Sequence, residues 1–118
     1  MEIKTRRAGD AAIAEIVSEK LIIQSAGDGA DLVGNLYFQG FDKAIIHEKN
    51  IAPDFFDLKS GIAGEILQKF SNYRIKLAIV GEFQKYNSRS LRDFIYESNK
   101  GGHICFVQSV DEALSRWK

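Results

Sequence analysis

One cysteine, one proline, one tryptophan and two histidines are all that 118 residues contain of these types. A lone thiol, Cys105, closes no internal disulfide, and two separated histidines with one strand-borne cysteine fall short of the ligand set that a metal site needs. Neither a metal nor another cofactor is expected. An excess of charge is missing as well. Sixteen basic residues balance sixteen acidic ones, so no global field draws in nucleic acid or an anionic membrane surface. Apolar runs stay far below the roughly 20 residues of a membrane-crossing helix. With no charged-then-apolar leader ahead of the first strand, the expected setting is a reducing cytoplasm.

What is present is patterned. The length suits one domain over 1–118, large enough to bury roughly two thirds of the surface of its unfolded chain. Met1 to Arg7 alternates, Ala8-Gly9-Asp10 supplies a turn, and Ala11 to Val17 runs on as a second strand, which makes a β-hairpin. Ser25 or Asp28 can cap a helix from about Gly29 to Gln39, with Ala30, Val33, Leu36 and Tyr37 inward, Gly40 at its end and Phe41 as the apolar residue after the glycine. Lys43 to His47 is a short apolar strand. Ile75 to Gly81 is the most continuously apolar strand and is expected to be central in the sheet. Asn87 or Ser88 opens a helix with Leu91, Phe94, Ile95 and Ser98 inward, an Arg89–Asp93 pair and an end at Gly101-Gly102. Strand His103 to Gln108 follows, with Cys105 read as a small buried hydrophobe and His103 as a surface residue. The capping box Ser109-Val110-Asp111-Glu112 starts a last helix that buries Val110, Leu114 and Trp117.

The longest helical pattern runs from Ala52 to Tyr73. Phe55, Leu58, Ile62, Ile66, Phe70 and Tyr73 are spaced by three and four, Pro53 suits a first turn, and Ser60-Gly61 marks a kink or a second helix start. Gly61 and Gly64 each cost about 1 kcal/mol against alanine in a helix, which points to close backbone packing or to a contact surface. The whole is an α/β domain: a mostly parallel five-stranded sheet, an antiparallel edge hairpin and four helical regions.

The blocks FFDLKSGIAGEILQKF, KLAIVGEF and SLRDFIYESNKG resemble those of a bacterial family known as domain-of-unknown-function family 4180, which implies no activity. More distantly, the order of elements, DLKSGIAGEIL and HICFVQSVDEALSRW are similar to STAS domains, the fold of the anti-sigma-factor antagonists. In those antagonists a serine of the first block is phosphorylated by a kinase that doubles as an anti-sigma factor, and Ser60 is the serine at the matching place here. Leu58 and Lys59 depart from that block, and one extra residue follows Ile62. The resemblance implies a STAS-like fold, a possible phospho-switch at Ser60 and a protein partner.

In an open α/β sheet, ligands bind beyond the carboxyl ends of the strands. That edge gathers His47, Glu48, Glu82 and Ser88, a set that could bind a small ligand or act as base and nucleophile, although no hydrolase elbow accompanies it. Satisfied strand-end groups and a helix cap are the plainer account of the same residues. The preferred reading is a non-enzymatic, STAS-like protein-interaction or regulatory module, with Phe55, Asp57, Leu58, Lys59, Gly61 and Gly64 as partner surface around Ser60. The alternative is a small-ligand binder or an enzyme using the strand-end edge.

Overall fold

The computed structural model describes residues 1–101 and 103–117. Strands β1 (Glu2–Ala8) and β2 (Ala11–Val17) form the hairpin. Gly9 has φ 60°, the first position of a two-residue turn that a type II′ geometry reserves for glycine. Helix α1 (Ala26–Phe38) leads to β3 (Lys43–His47), α2 (Ile62–Asn72) to β4 (Lys76–Val80), α3 (Arg89–Gly101) to β5 (Ile104–Val107), and α4 (Val110–Arg116) closes the order.

The sheet runs β1-β2-β3-β4-β5, antiparallel between β1 and β2 and parallel thereafter. Each new parallel strand is added on the same side of the last one, and right-handed crossovers then put every connecting helix on one face. The burial follows. Ile16, Ile46, Leu77, Ile79 and Phe106 point to the face that meets Leu36, Ile66, Phe70 and Leu91 of the connecting helices. Their strand neighbours Ile13, Ile45, Ala78, Cys105 and Val107 point to the other face, where Ala113 of α4 meets them. Cys105 is the buried hydrophobe expected, and burial pushes its thiol up despite Arg116 nearby. Val80 is half-buried and packs with this second cluster. The apolar strand β4 is interior, flanked by β3 and β5, while β3 occupies the middle of the order.

Helix ends show how local signals set the geometry. Ser25 caps α1 by accepting the Asp28 N–H, so this helix starts three residues before the expected Gly29. At its other end the Phe41 N–H reaches the Leu36 carbonyl and the Gly40 N–H the Tyr37 carbonyl, the two bonds of a Schellman ending. Leu32, not Tyr37, completes the buried face; Tyr37 is 61% exposed and leans edge-on against Tyr73 at 5.1 Å. The same ending recurs after α2 with Arg74 at φ 56° in place of glycine. Ser88 caps α3 through the Leu91 N–H. The expected Arg89–Asp93 pair is not formed, and α3 carries a Lys100–Glu97 pair at 3.9 Å instead. Gly101 is the last residue of α3, and Gly102, expected to end it too, lies outside the described residues. Ser109 accepts the Glu112 N–H at 3.1 Å, while the Glu112 carboxylate reaches back to the Gln108 N–H. Val110, Leu114 and Trp117 of this last helix are half-buried around fully buried Ala113.

In the Ala52–Tyr73 stretch, α2 starts just after Gly61, the second helix start that Ser60-Gly61 marks, while the part before it forms 3₁₀ turns at Pro53–Phe56 and Leu58–Ser60 in place of α-helix. Phe55 and Phe56 are 2% and 5% exposed, with their rings edge to face at 5.0 Å within the first of these turns. The chain turns tightly to bury both, and then restarts at Gly61, whose φ of 79° is left-handed. Backbone conformation therefore accounts for this glycine, with no need of close packing.

Candidate functional site

The chain builds two anchored carboxylates, one at the carboxyl ends of β3 and β4 and one within β2. Glu48, immediately after β3, accepts the Tyr86 hydroxyl, the Lys85 ammonium at 2.9 Å and the Glu82 backbone N–H at 3.2 Å. Burial pushes its carboxyl up, but these three donors outweigh burial and hold it below the ordinary carboxylate value. The same burial, with Glu48 alongside, pushes the Tyr86 phenol well up. A side chain at Gly81 would stand 2.5 Å from the Glu48 carboxylate, so this glycine gives the acid its approach. Glu48 is thus a clamp on the loop from Gly81 to Ser88.

The second carboxylate is Glu15 in the middle of β2, 6% exposed. Arg6 Nε reaches one oxygen at 2.8 Å and His47 Nε2 the other at 2.8 Å. Burial pushes this carboxyl up, and the bonds from His47 and Arg6 bring it net below its usual value. His47 therefore pairs with Glu15, not with its sequence neighbour Glu48.

His47, Glu48 and Glu82 share an opening of about 350 Å³ with Lys49, Val80, Gly81 and Lys85. No hydroxyl or thiol stands among these lining residues, so the histidine–serine pairing considered from the sequence is not assembled. Ser88 lies elsewhere. It lines a second opening, of about 280 Å³, with Pro53, Phe56, Asp57, Leu58 and Tyr86. The two openings are joined through one aromatic contact: the Phe56 ring stacks on Tyr86 at 5.0 Å, and Tyr86 is held by Glu48.

Around Ser60 the expected surface is partly present. Asp57, Lys59, Gly61 and Gly64 are exposed and Leu58 is half-buried. Phe55 is not surface at all: it is buried against Phe56 with ring centroids 5.0 Å apart. The Ser60 hydroxyl donates to the Asp54 carbonyl at 2.7 Å and accepts the Ile62 N–H at 3.3 Å, which ties the last 3₁₀ turn to the start of α2. Asp57 caps that turn by accepting the Lys59 N–H.

Two polar residues were not singled out by the sequence. Glu15 sits in an otherwise apolar strand, and Asn50 is fully buried, donating to the Ser18 and Lys20 carbonyls at 2.8 Å each. Asn50 also accepts the Ile22 and Ile23 N–H groups on its carbonyl, which fixes the path from β2 into α1. His103, expected at the surface, is half-buried, and its Nε2 has no hydrogen-bond partner among the described residues.

The sequence matches the family model described as "Domain of unknown function (DUF4180)" over residues 8–117. The chain belongs to this family. No curated protein matches it significantly. Among its described residues, this DUF4180 domain has no group of three or more potential metal ligands and no helix long and apolar enough to cross a membrane.

Proposed function

We propose that this DUF4180 domain is a non-enzymatic, STAS-like regulatory module of the bacterial cytoplasm that works by docking a protein partner at the start of α2. Gly64 carries this reading. It stands in the first turn of α2, exposed, and a Cβ built on it meets no atom within 4 Å. A helix glycine costs roughly 0.5–1 kcal/mol against alanine, and here neither packing nor a left-handed φ accounts for it. A partner lying flat on α2 accounts for it. Gly34 of α1 is equally open, and nothing in the structure explains that one. In the turns ahead of α2, the opening that Pro53, Phe56 and Leu58 line offers an apolar notch that Asp57 also lines.

Ser60 lies at the edge of this surface, and a phosphate on it would act in two ways. It would remove the hydroxyl proton that Asp54 now accepts. It would also add nearly two negative charges at the first turn of α2, where the Ile62 N–H already bonds the Ser60 oxygen.

The test uses the purified domain and a partner that co-purifies from the native cell in fixed stoichiometry, recombined from isolated components. Gly64→Arg and Ser60→Asp are expected to weaken the complex at least tenfold, Ser60→Ala and an equally exposed change elsewhere, Lys20→Glu, to leave it intact. If Gly64→Arg binds as wild type while circular dichroism shows an unchanged fold, the surface is misplaced; if Ser60→Asp alone is neutral, the switch is removed and the docking reading stays.

A small-ligand reading rests on the 350 Å³ opening of His47, Glu48 and Glu82. A thermal-shift hit from a panel of nucleotides, sugar phosphates and carboxylic acids, lost in Glu82→Ala, would favour it over docking.

A further inference from the structure

A larger groove lies outside both openings, along the free edge of β5. Its volume is about 520 Å³, within the range of small-molecule sites. Helix α3 supplies one wall with Arg92, Ile95, Tyr96 and Asn99, which are spaced i, i+3, i+4 and i+7 and so form one stripe. A neighbouring stripe of the same helix holds Leu91, buried against the sheet. The floor is aromatic: Phe106 and Phe83 meet edge to face at 5.2 Å.

Asn99 decides what kind of occupant fits. Its Oδ1 accepts the Phe106 N–H at 2.7 Å and its Nδ2 donates to the Phe106 carbonyl at 3.2 Å. One side-chain amide thus takes both backbone groups that an incoming strand would use at this residue. The Arg116 guanidinium donates to the Asn99 carbonyl at 2.6 Å and ties α3 to the end of α4, which stiffens the frame. An added peptide strand is disfavoured, and a compact ligand resting on the floor is not.

Charge then selects the ligand class. Glu112 at the α4 end of the groove accepts the Gln108 N–H through one oxygen and keeps its negative charge, so Arg92 is the group in the lining that can take an anion. Arg92 has no carboxylate within ion-pair distance among the described residues. A guanidinium on the wall of a groove with an aromatic floor is suited to a bidentate carboxylate. We propose that this groove binds a small organic acid with a flat apolar body, the body on Phe83, Ile95 and Phe106 and the carboxylate on Arg92. Tyr96, 62% exposed, forms the outer wall beside the body.

The proposal stands apart from the docking surface on α2 and is tested separately, by amide NMR titration of the full chain. The probes are phenylpropionate, phenylpropanol and phenylpropylamine, which share a body and differ in charge. The acid is expected to shift the amides of Tyr96, Asn99, Phe106 and Gln108 and to bind about tenfold more tightly than the alcohol, with the amine weakest. Arg92→Gln should reduce the acid to the level of the alcohol, and Arg92→Lys should restore part of the difference. Absence of shifts at millimolar acid, shifts confined to another region, equal affinity of acid and alcohol, or an unchanged affinity in Arg92→Gln would each overturn it.

Discussion

The two faces of the sheet are built from the same strands yet closed by different means. The face under α1, α2 and α3 holds large side chains, Phe70, Leu36, Ile66, Leu77 and Ile79 among them, each buried to 1% exposure or less. The opposite face has the seven-residue α4 for cover and is small-grained: Ala8, Ala78, Cys105 and Ala113 fill it with Ile13, Ile45 and Val107. Beside the ground that α4 covers, Glu15 is held between Arg6 and His47 on the same side of the strands as Ile13 and Ile45. A short helix leaves strand surface that must be closed by other means, and here a bonded carboxylate does it. Such a network costs desolvation and returns it through hydrogen bonds, so the second face is expected to be the more sensitive to pH and the first to volume.

That contrast can be broken by substitution. Ile79→Ala empties a fully buried site on the first face and is expected to cost about 2–4 kcal/mol in urea unfolding; a loss below about 0.5 kcal/mol would mean that β4 is not packed as an interior strand. Ala113→Leu tests the second face from the opposite direction. Its site is fully buried within the second cluster, so overpacking is expected to cost about 1–3 kcal/mol. A neutral result would show that α4 floats on the sheet.

Glu15→Gln keeps the shape and removes the charge, with an expected loss of about 1 kcal/mol at neutral pH. Its sharper signature is in acid. In the folded chain the Glu15 carboxyl titrates below its ordinary value, so on acidification the unfolded chain takes up its proton first. The contribution is complete above the ordinary carboxyl range of about 4.3 and is lost as the pH falls through the lower folded value. Glu48 behaves in the same sense. Stability of the wild type should therefore fall on acidification, and Glu15→Gln should make that fall shallower without removing it. An identical acid limb in both proteins would mean that the Arg6–Glu15–His47 bonds carry no stabilisation.

Much of this architecture was legible because its signals are local. Period-two alternation over Met1 to Arg7, the Ser25 and Ser109 caps and the Gly40–Phe41 ending each lie within a few residues of what they determine. In the Ala52–Tyr73 stretch the restart at Ser60-Gly61 is legible, but the three-and-four spacing ahead of it does not distinguish α-helix from the 3₁₀ turns in which Phe55 and Phe56 are buried side by side. The burial of Phe55, which removes it from any partner surface, follows from the same break. Glu15 was passed over since its partners are far along the chain, Arg6 nine residues before it and His47 thirty-two after. A glutamate between Ala14 and Ile16 in a strand was the available clue, because a carboxylate inside a sheet demands partners. The groove on β5 was invisible for a related reason: it needs α3, β5 and the start of α4 together, and its key contact, Asn99 on Phe106, exists only once the strand has an open edge.

The docking account turns on whether Gly64 is kept for something outside the molecule, and urea unfolding of Gly64→Ala tests that most directly. With open space around the new methyl and a better helix former in the first turn, the account predicts a gain of roughly 0.5–1 kcal/mol in the isolated domain. A loss of stability on that substitution would mean that the folded chain itself requires the glycine, and would contradict the account.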